Sequence, residues 1–276
     1  MSADTPAAWR DAACEFARAA GAILREGHGR PQAPEKKGRI DLVTEYDRRS
    51  ESLLLSLIRE RFPHHGILAE ESGTHAGSVG GDAPGTTRWI CDPLDGTTNF
   101  AHNYPFFCVS VGVESGGSMA AGAVYDPVRD EMFAAARGEG ATLNGQPIRV
   151  SAIERLEDAL LVTGFPYDVR EHPERDLPLF RDFLLQAQGV RRDGSAALNL
   201  AYVAMGRFDG MWESALSPWD MAAGSLLIRE AGGIVTGYDG QPFRLDGRRL
   251  VTANPPLHAK LIDVIARQPK AGAVQP

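Results

Sequence analysis

The sequence predicts a mixed α+β and α/β protein, with two helices on a largely antiparallel sheet followed by a layer of alternating strands and helices. Three observations carry this expectation. Apolar residues between positions 7 and 62 recur at helical spacing. Between 66 and 136 they form short runs separated by Gly-Gly and Asp-Pro turns. From 159 onward strand-like and helix-like segments take turns.

Trp9, Ala13, Phe16, Ala20, Ile23 and Leu24 place an amphipathic helix over residues 7–26, and the glycines, prolines and polar residues of 27–38 break it. A second helix starts near Thr44, an N-cap with Asp47 in its first turn, and buries Leu53, Leu54, Leu57, Ile58 and Phe62. Residues 66–70 and 88–92 are apolar runs ending in an acid, which suits buried strands; residues 73–87, rich in Gly, Ser and Ala, read as a mobile loop. Strands follow at 106–113, 119–126 and 131–136, and Asn144-Gly145 signals a hairpin. The second half predicts strands at 159–163, 208–213, 234–236 and 249–252. Its helices fall at 174–188, 196–205, 221–231 and 256–267, and the tail from Gln268 reads as disordered. A boundary near 151–157 divides an N-terminal α+β half (1–153) from a C-terminal α/β half (154–276).

With 276 residues, 43% hydrophobic and 24% charged, the composition is that of a soluble globular protein. A net charge of −7 argues against bulk electrostatic binding of nucleic acid, though bound cations can make an acidic pocket receptive to a small anion. No apolar run reaches the roughly 18 residues of a membrane span, and the N-terminus lacks the pattern of a secretory signal. Cys14, Cys91 and Cys108 have neither disulfide-framework nor zinc spacing and read as buried hydrophobes in a reducing cytoplasm.

The chemistry concentrates in Trp89-Ile90-Cys91-Asp92-Pro93-Leu94-Asp95-Gly96-Thr97-Thr98-Asn99-Phe100. A strand delivers Asp92, Pro93 is expected to end its ladder pairing, and Asp95 follows one short turn later. Two carboxylates so placed suit a hard divalent cation, which takes oxygen ligands, and a helix opening at Gly96 would offer free N–H groups to phosphate. Asp-Pro and Asp-Gly are also ordinary turn formers. Glu70-Glu71-Ser72 follows another strand, and Asp220 in Trp219-Asp220-Met221-Ala222-Ala223-Gly224 stands at a helix start, where capping is the commoner role. Asp41, Glu45 and Asp47 add carboxylates near the second helix. Periodicity alone does not show whether these acids converge.

Taken with Gly194-Ser195-Ala196-Ala197, these segments, in this order over residues 36–233, resemble the inositol monophosphatase family. The resemblance implies a layered αβαβα sandwich, a homodimer, dependence on two to three Mg²⁺ ions and sensitivity to lithium. It implies that Glu70, Asp92 and the Leu94 carbonyl hold one ion, that Asp92, Asp95 and Asp220 hold a second, and that Glu70 reaches a third through water. Thr97, supported by Asp47, would orient and help deprotonate the attacking water, while the Gly96 and Thr97 amides hold phosphate. Asp95, Asp220, Gly194, Ser195, Ala196 and Glu213 would contact the substrate, with 165–168 at the rim. The implied reaction is hydrolysis of an inositol monophosphate to inositol and phosphate. Alternatives are a fructose-1,6-bisphosphatase or broad polyol-phosphate phosphatase, and a regulatory partner of the transcription machinery. The complete acid set favours catalysis, and no membrane or direct nucleic-acid partner is expected.

Such chemistry needs no side-chain nucleophile, because cations neutralise the ester, activate water and stabilise the leaving alkoxide. The histidines show no nucleophile pairing; His64-His65 reads as a polar turn, and His102 gets no role. Asp193, where family members commonly carry a small or uncharged residue, adds a carboxylate expected close to the substrate pocket. At Lys36-Lys37 the resemblance implies a lysine that modulates metal or substrate binding, with a solvated charge pair as the equal alternative.

Overall fold

A computed structural model describes residues 4–38, 42–77 and 86–268. Helix α1 (Pro6–Gly27) opens where Thr5 Oγ1 accepts the Ala8 amide, with proline at its first position, and buries Trp9, Ala13, Phe16, Ala20 and Leu24. A two-stranded ribbon, β1 (Glu35–Lys36) with β2 (Leu42–Val43), occupies part of the stretch read as a break. Helix α2 (Glu45–Arg61) begins at the expected N-cap Thr44, which forms a capping box with Asp47.

The chain then builds β3 (Gly66–Ala69), β4 (Gly73–His75), β5 (Arg88–Asp95), the short helix α3 (Thr97–Ala101), β6 (Cys108–Ser115), β7 (Ser118–Asp126) and β8 (Glu131–Ala136). The Asn144-Gly145 hairpin joins β9 (Ala141–Leu143) to β10 (Gln146–Pro147). These strands form one eight-stranded sheet, antiparallel except where β3 and β5 run parallel. The second half contributes β11 (Leu160–Thr163), α4 (Pro173–Leu184), β12 (Gly189–Arg191), α5 (Ala196–Ala204), β13 (Gly210–Ser214), α6 (Pro218–Glu230), β14 (Ile234–Thr236), β15 (Arg249–Ala253) and α7 (Pro255–Ala266). Its five strands order β12-β11-β13-β15-β14, with β11 parallel to both neighbours and the other pairs antiparallel.

Strand alternation sorts side chains into three cores and so stacks the layers. Trp89 and Cys91 of β5 meet Phe16 of α1 and Leu54 of α2 on one face of the large sheet. Ile90, one residue out of phase, turns to the opposite face, where α5 and α6 fill the space up to Val162, Met211 and Leu250 of the small sheet. Leu161, Trp212 and Val251 face the other way and pack on α4 and α7. The result is the expected αβαβα sandwich.

Several expectations need correction. Pro93 does not end β5; pairing with β6 resumes at Asp95 after an irregularity between Asp92 and Asp95. The loop read at 73–87 starts with a strand that pairs with β3, and its residues 78–85 lie outside the described set, as do Asp41 and 269–276. The helix expected to reach 188 ends at Leu184, leaving room for β12, an edge strand too short to register in the pattern. His65 is no simple polar turn: it stacks on Phe62 and accepts the Trp89 indole N–H at 3.1 Å.

Candidate active site

The same alternation that buries Trp89 and Ile90 on opposite faces points Asp92 toward α6, where it is 2% exposed. Its partner across the ladder, Ser110, donates to the Trp219 carbonyl at 3.3 Å and so ties the start of α6 to the sheet. Close approach of α6 depends on Gly112 and Gly122, which face each other on β6 and β7. A Cβ on Gly112 would lie 2.8 Å from Ala222 Cβ, and one on Gly122 would lie 2.9 Å from Ala223 Cα. Asp220 sits in the first turn of α6, with Oδ2 accepting the Ser217 amide at 2.7 Å in a capping box. The bulge at Pro93 then carries Asp95 back to the same side. Asp92, Asp95 and Asp220 each place an oxygen within 4.8 Å of the others.

Neighbouring groups fix these carboxylates. Asp92 Oδ1 accepts the Leu94 amide at 3.0 Å, and Asp95 Oδ2 accepts Ser195 Oγ at 2.7 Å and the Ala197 amide at 2.6 Å. Glu70 follows β3 and is held by Lys37 Nζ at 3.1 Å; the same ammonium pairs with Glu71, whose amide donates to Glu51 at 2.8 Å. Burial pushes the Asp92 carboxyl well above its usual range, and the charges of Glu70, Asp95 and Asp220 push it further. Burial and then Asp95 do the same to Asp220, and burial raises Glu70 to about 7. Asp95 is also raised by burial, but its hydrogen bonds to Ser195 and the α5 amides pull against the shift.

Burying like-charged acids together is costly unless a cation joins them. The donors are carboxylates and a carbonyl, with neither imidazole nor thiol among the three converging acids, and this suits a hard divalent ion. The residues present therefore fit a metal.

Beside the acids, Thr97 Oγ1 donates to Asp47 Oδ1 at 2.8 Å and also lies 3.1 Å from the Leu94 carbonyl. The second Asp47 oxygen accepts both the amide (2.8 Å) and the hydroxyl (2.6 Å) of Thr44. Because Thr97 spends its hydrogen on Asp47, its oxygen is left to accept a hydrogen from a molecule in the site. Gly96, at φ +102°, makes the turn that opens α3; a Cβ there would meet the Phe106 carbonyl at 3.1 Å. The first helical bond of this turn runs from Phe100 N to Gly96 O, so the Gly96 and Thr97 amides precede the helical ladder.

Two adjoining cavities share Asp95, Gly194 and Asp220. The smaller, about 100 Å³, also gathers Glu70, Asp92, Leu94, Gly96 and Thr97. The larger, about 330 Å³, is lined by Ser195, Ala196 and Glu213 and rimmed by residues 165–168. Burial raises Glu213 to about 8, with Asp220 and Asp95 adding to the shift, and its Oε2 has no hydrogen-bond partner among the described residues. Asp47 stands behind Thr97. The structure thus brings the expected site residues to one place.

Other expected residues stand at the margin of the site or away from it. Asp193 lines neither cavity; its carbonyl accepts Asn99 Nδ2 at 2.7 Å. Lys36 is exposed while Lys37 meets Glu70, Glu45 is exposed and pairs with Arg49, and His102 is exposed at the end of α3. Sequence reasoning missed Asn99, which also binds the Phe106 carbonyl at 2.7 Å and clamps α3 to the loop before α5. It also missed Arg192, which borders both cavities, and Asn199, which lines the larger. Asn99 lay inside the most informative motif, whereas Arg192 and Asn199 carried no separable signal.

A family model described as the inositol monophosphatase family matches residues 6–270. The chain belongs to that family. It is 48% identical over 263 residues to an inositol-1-monophosphatase of Synechocystis sp., spanning 95% of this chain and 90% of that one. It is 42% identical over 245 residues to a protein named Nus factor SuhB in Salmonella typhimurium, spanning 88% and 90%. Among solved structures, the extragenic suppressor protein suhB of Bartonella henselae superposes with TM-score 0.88 at 40% identity over 94% of this chain and 99% of that one. An inositol monophosphatase from Anabaena (Nostoc) sp. gives 0.85 at 45% identity over 96% and 98%. Membership in this metal-dependent family supports a phosphatase and agrees with the acidic cluster. Among the described residues no helix is long and apolar enough to cross a membrane.

Proposed function

We propose that this protein hydrolyses an inositol monophosphate to inositol and phosphate with Mg²⁺, acting as a homodimer. The observation that carries the reading is the meeting of Asp92, Asp95 and Asp220 within 4.8 Å, beside a cavity of about 330 Å³ that Glu213 and Arg192 line. Asp92, Asp95, Asp220, Glu70 and the Leu94 carbonyl would hold two to three ions. When bound, such ions neutralise the ester, lower the pKa of water and stabilise the leaving alkoxide.

The chain's own groups supply the rest. The Thr97 oxygen accepts a hydrogen from the attacking water as its own hydroxyl donates to Asp47, so a proton can pass toward that carboxylate. Thr44 keeps Asp47 in register for this relay. The Gly96 and Thr97 amides would hold the phosphate beside the smaller cavity, and Glu213, with Gly194 and Ala196, borders the space for the ring hydroxyls.

Phosphate release from myo-inositol 1-phosphate and fructose 1,6-bisphosphate, with and without Mg²⁺ and beside Asp92→Asn, tests the reading. Mg²⁺-dependent release from the inositol ester that disappears in the variant supports it. Release mainly from the bisphosphate moves the substrate, and release from neither ester refutes it.

The similarity to proteins named Nus factor SuhB supports a second reading, in which the folded chain also serves the transcription machinery as a protein partner. Retention of that role by a folded, inactive Asp92→Asn variant would support it, and loss together with activity would count against it.

A further inference from the structure

We infer that Ser195 is a positioning residue for the metal-facing carboxylate of Asp95, a role that rests on the metal reading above. Ser195 is 1% exposed, and its hydroxyl donates to Asp95 Oδ2 at 2.7 Å. It stands at the N-cap of α5 with extended backbone (φ −141°), yet makes no side-chain bond to its own helix. A serine at this position ordinarily caps the second or third amide of the helix. Here Asp95, arriving from β5 in the other sheet, takes over that task by accepting the Ala197 amide at 2.6 Å. The serine gives its hydrogen to the carboxylate instead.

The Cys108 thiol closes the arrangement, 3.8 Å from the same Asp95 oxygen and 3.6 Å from Ser195 Oγ. Oδ2 is thereby surrounded by donors from β6 and from the start of α5. The carboxylate cannot rotate without breaking these bonds, so Oδ1 is the oxygen left for a cation. Lining the larger cavity therefore reflects where the Ser195 backbone runs, since its hydroxyl is spent on Asp95.

Groups that orient metal ligands typically change metal affinity by about 10- to 100-fold when removed. In Ser195→Ala the Ala197 amide and the Cys108 thiol still hold Oδ2, so the loss belongs at the lower end, about tenfold.

The test is Mg²⁺ titration by calorimetry of the full chain without substrate, for wild type, Ser195→Ala and Ser195→Thr, with circular dichroism and melting as fold controls. The expected result is about tenfold weaker binding in the alanine variant and near wild-type binding in the threonine variant, which restores the hydroxyl. Unchanged Mg²⁺ affinity with a raised KM would overturn the inference and make Ser195 a substrate contact. Wild type that binds no Mg²⁺ would overturn the metal reading, and this role with it. If the alanine variant does not fold, Ser195→Cys keeps the volume with a weaker donor; its affinity must fall below that of wild type, and wild-type affinity would overturn the inference.

Discussion

Gly122→Ala tests how the site is assembled. The added methyl would stand 2.9 Å from Ala223 Cα and 3.0 Å from Ala223 Cβ. Carbon atoms in contact prefer about 3.5–4.0 Å, so α6 or β7 must retreat by roughly 0.5–1 Å. The nearer atom belongs to helix backbone, so no rotamer change relieves the clash. Overpacking of this kind costs about 1–3 kcal/mol. At about 2–4 °C per kcal/mol, the scale for somewhat smaller domains, the melting temperature should fall by roughly 2–12 °C. Asp220 lies less than one turn from Ala223, so the same retreat carries it from Asp92 and Asp95 and weakens Mg²⁺ binding.

Differential scanning calorimetry and Mg²⁺ titration read the two effects, with Gly66→Ala in β3 as control. A Cβ there meets Arg88 Cβ at 3.6 Å and the His75 carbonyl at 3.7 Å, ordinary contacts, so its stability should stay within about 0.5 kcal/mol. A Gly122→Ala protein with wild-type melting and wild-type affinity would refute the claim that this close approach sets the acid cluster.

Thr97→Ala should lower kcat by about 10²–10⁴-fold with little change in Mg²⁺ affinity, and Thr97→Ser should recover most of it; equal loss in both would remove the hydroxyl from the relay. Gly164→Ala would drive a methyl into the Glu213 carboxylate, so KM for the polyol ester should rise while hydrolysis of phenyl phosphate, which offers no ring hydroxyls, stays near wild type; a parallel loss on both esters would contradict this. The chelator-treated protein should melt lower at about pH 8.5 than at about pH 6.5, with added Mg²⁺ reducing the difference. The folded-state pKa of Glu70 is about 7 and that of Glu213 about 8, both above the unfolded carboxylate value of about 4.3. The native state then holds more protons, so this stability, complete below about pH 4, is lost as pH rises through about 7 and 8. Equal melting at the two pH values would show these acids already ionised at about pH 6.5 without a metal.

The elements that were legible in the sequence are those whose burial is one-sided and long. Trp9 to Leu24 announced α1, and the apolar runs of β5 to β8 announced the central strands, because each repeats its pattern over several turns or pleats. Strand β12 has three residues on a sheet edge and β1 has two, so neither shows a period. The buried face of α2 was misread at its N-terminal end for a different reason. The apolar stripe of Leu54 and Ile58 continues through Ser50, Glu51 and Asp47, which are buried because they serve the site. Ser50 donates to the Pro93 carbonyl at 2.8 Å at the bulge between Asp92 and Asp95, and Glu51 accepts the amide after Glu70. A helix whose polar residues occupy its inner face looks shorter than it is, and the shortfall marks the end nearest the acids.

The converging acids were legible as residues but not as a set, because convergence belongs to tertiary structure. Asp92 and Asp95 share one turn of chain, while Asp220 arrives on a helix from the other half, brought close by glycines in two strands. The Ala-Ala-Gly that follows Asp220 gains a physical meaning from this. Ala222 and Ala223 rest on Gly112 and Gly122, and a Cβ on Gly224 would lie 2.5 Å from Leu200 Cβ of α5. Small residues on α6 thus let one helix approach the large sheet and α5 together, and Asp95 binds the first turn of α5 in turn. The acid at the start of α6 and the acid at the end of β5 are therefore fixed by the same packing of two central helices, and a change anywhere in that packing should reach the cation site.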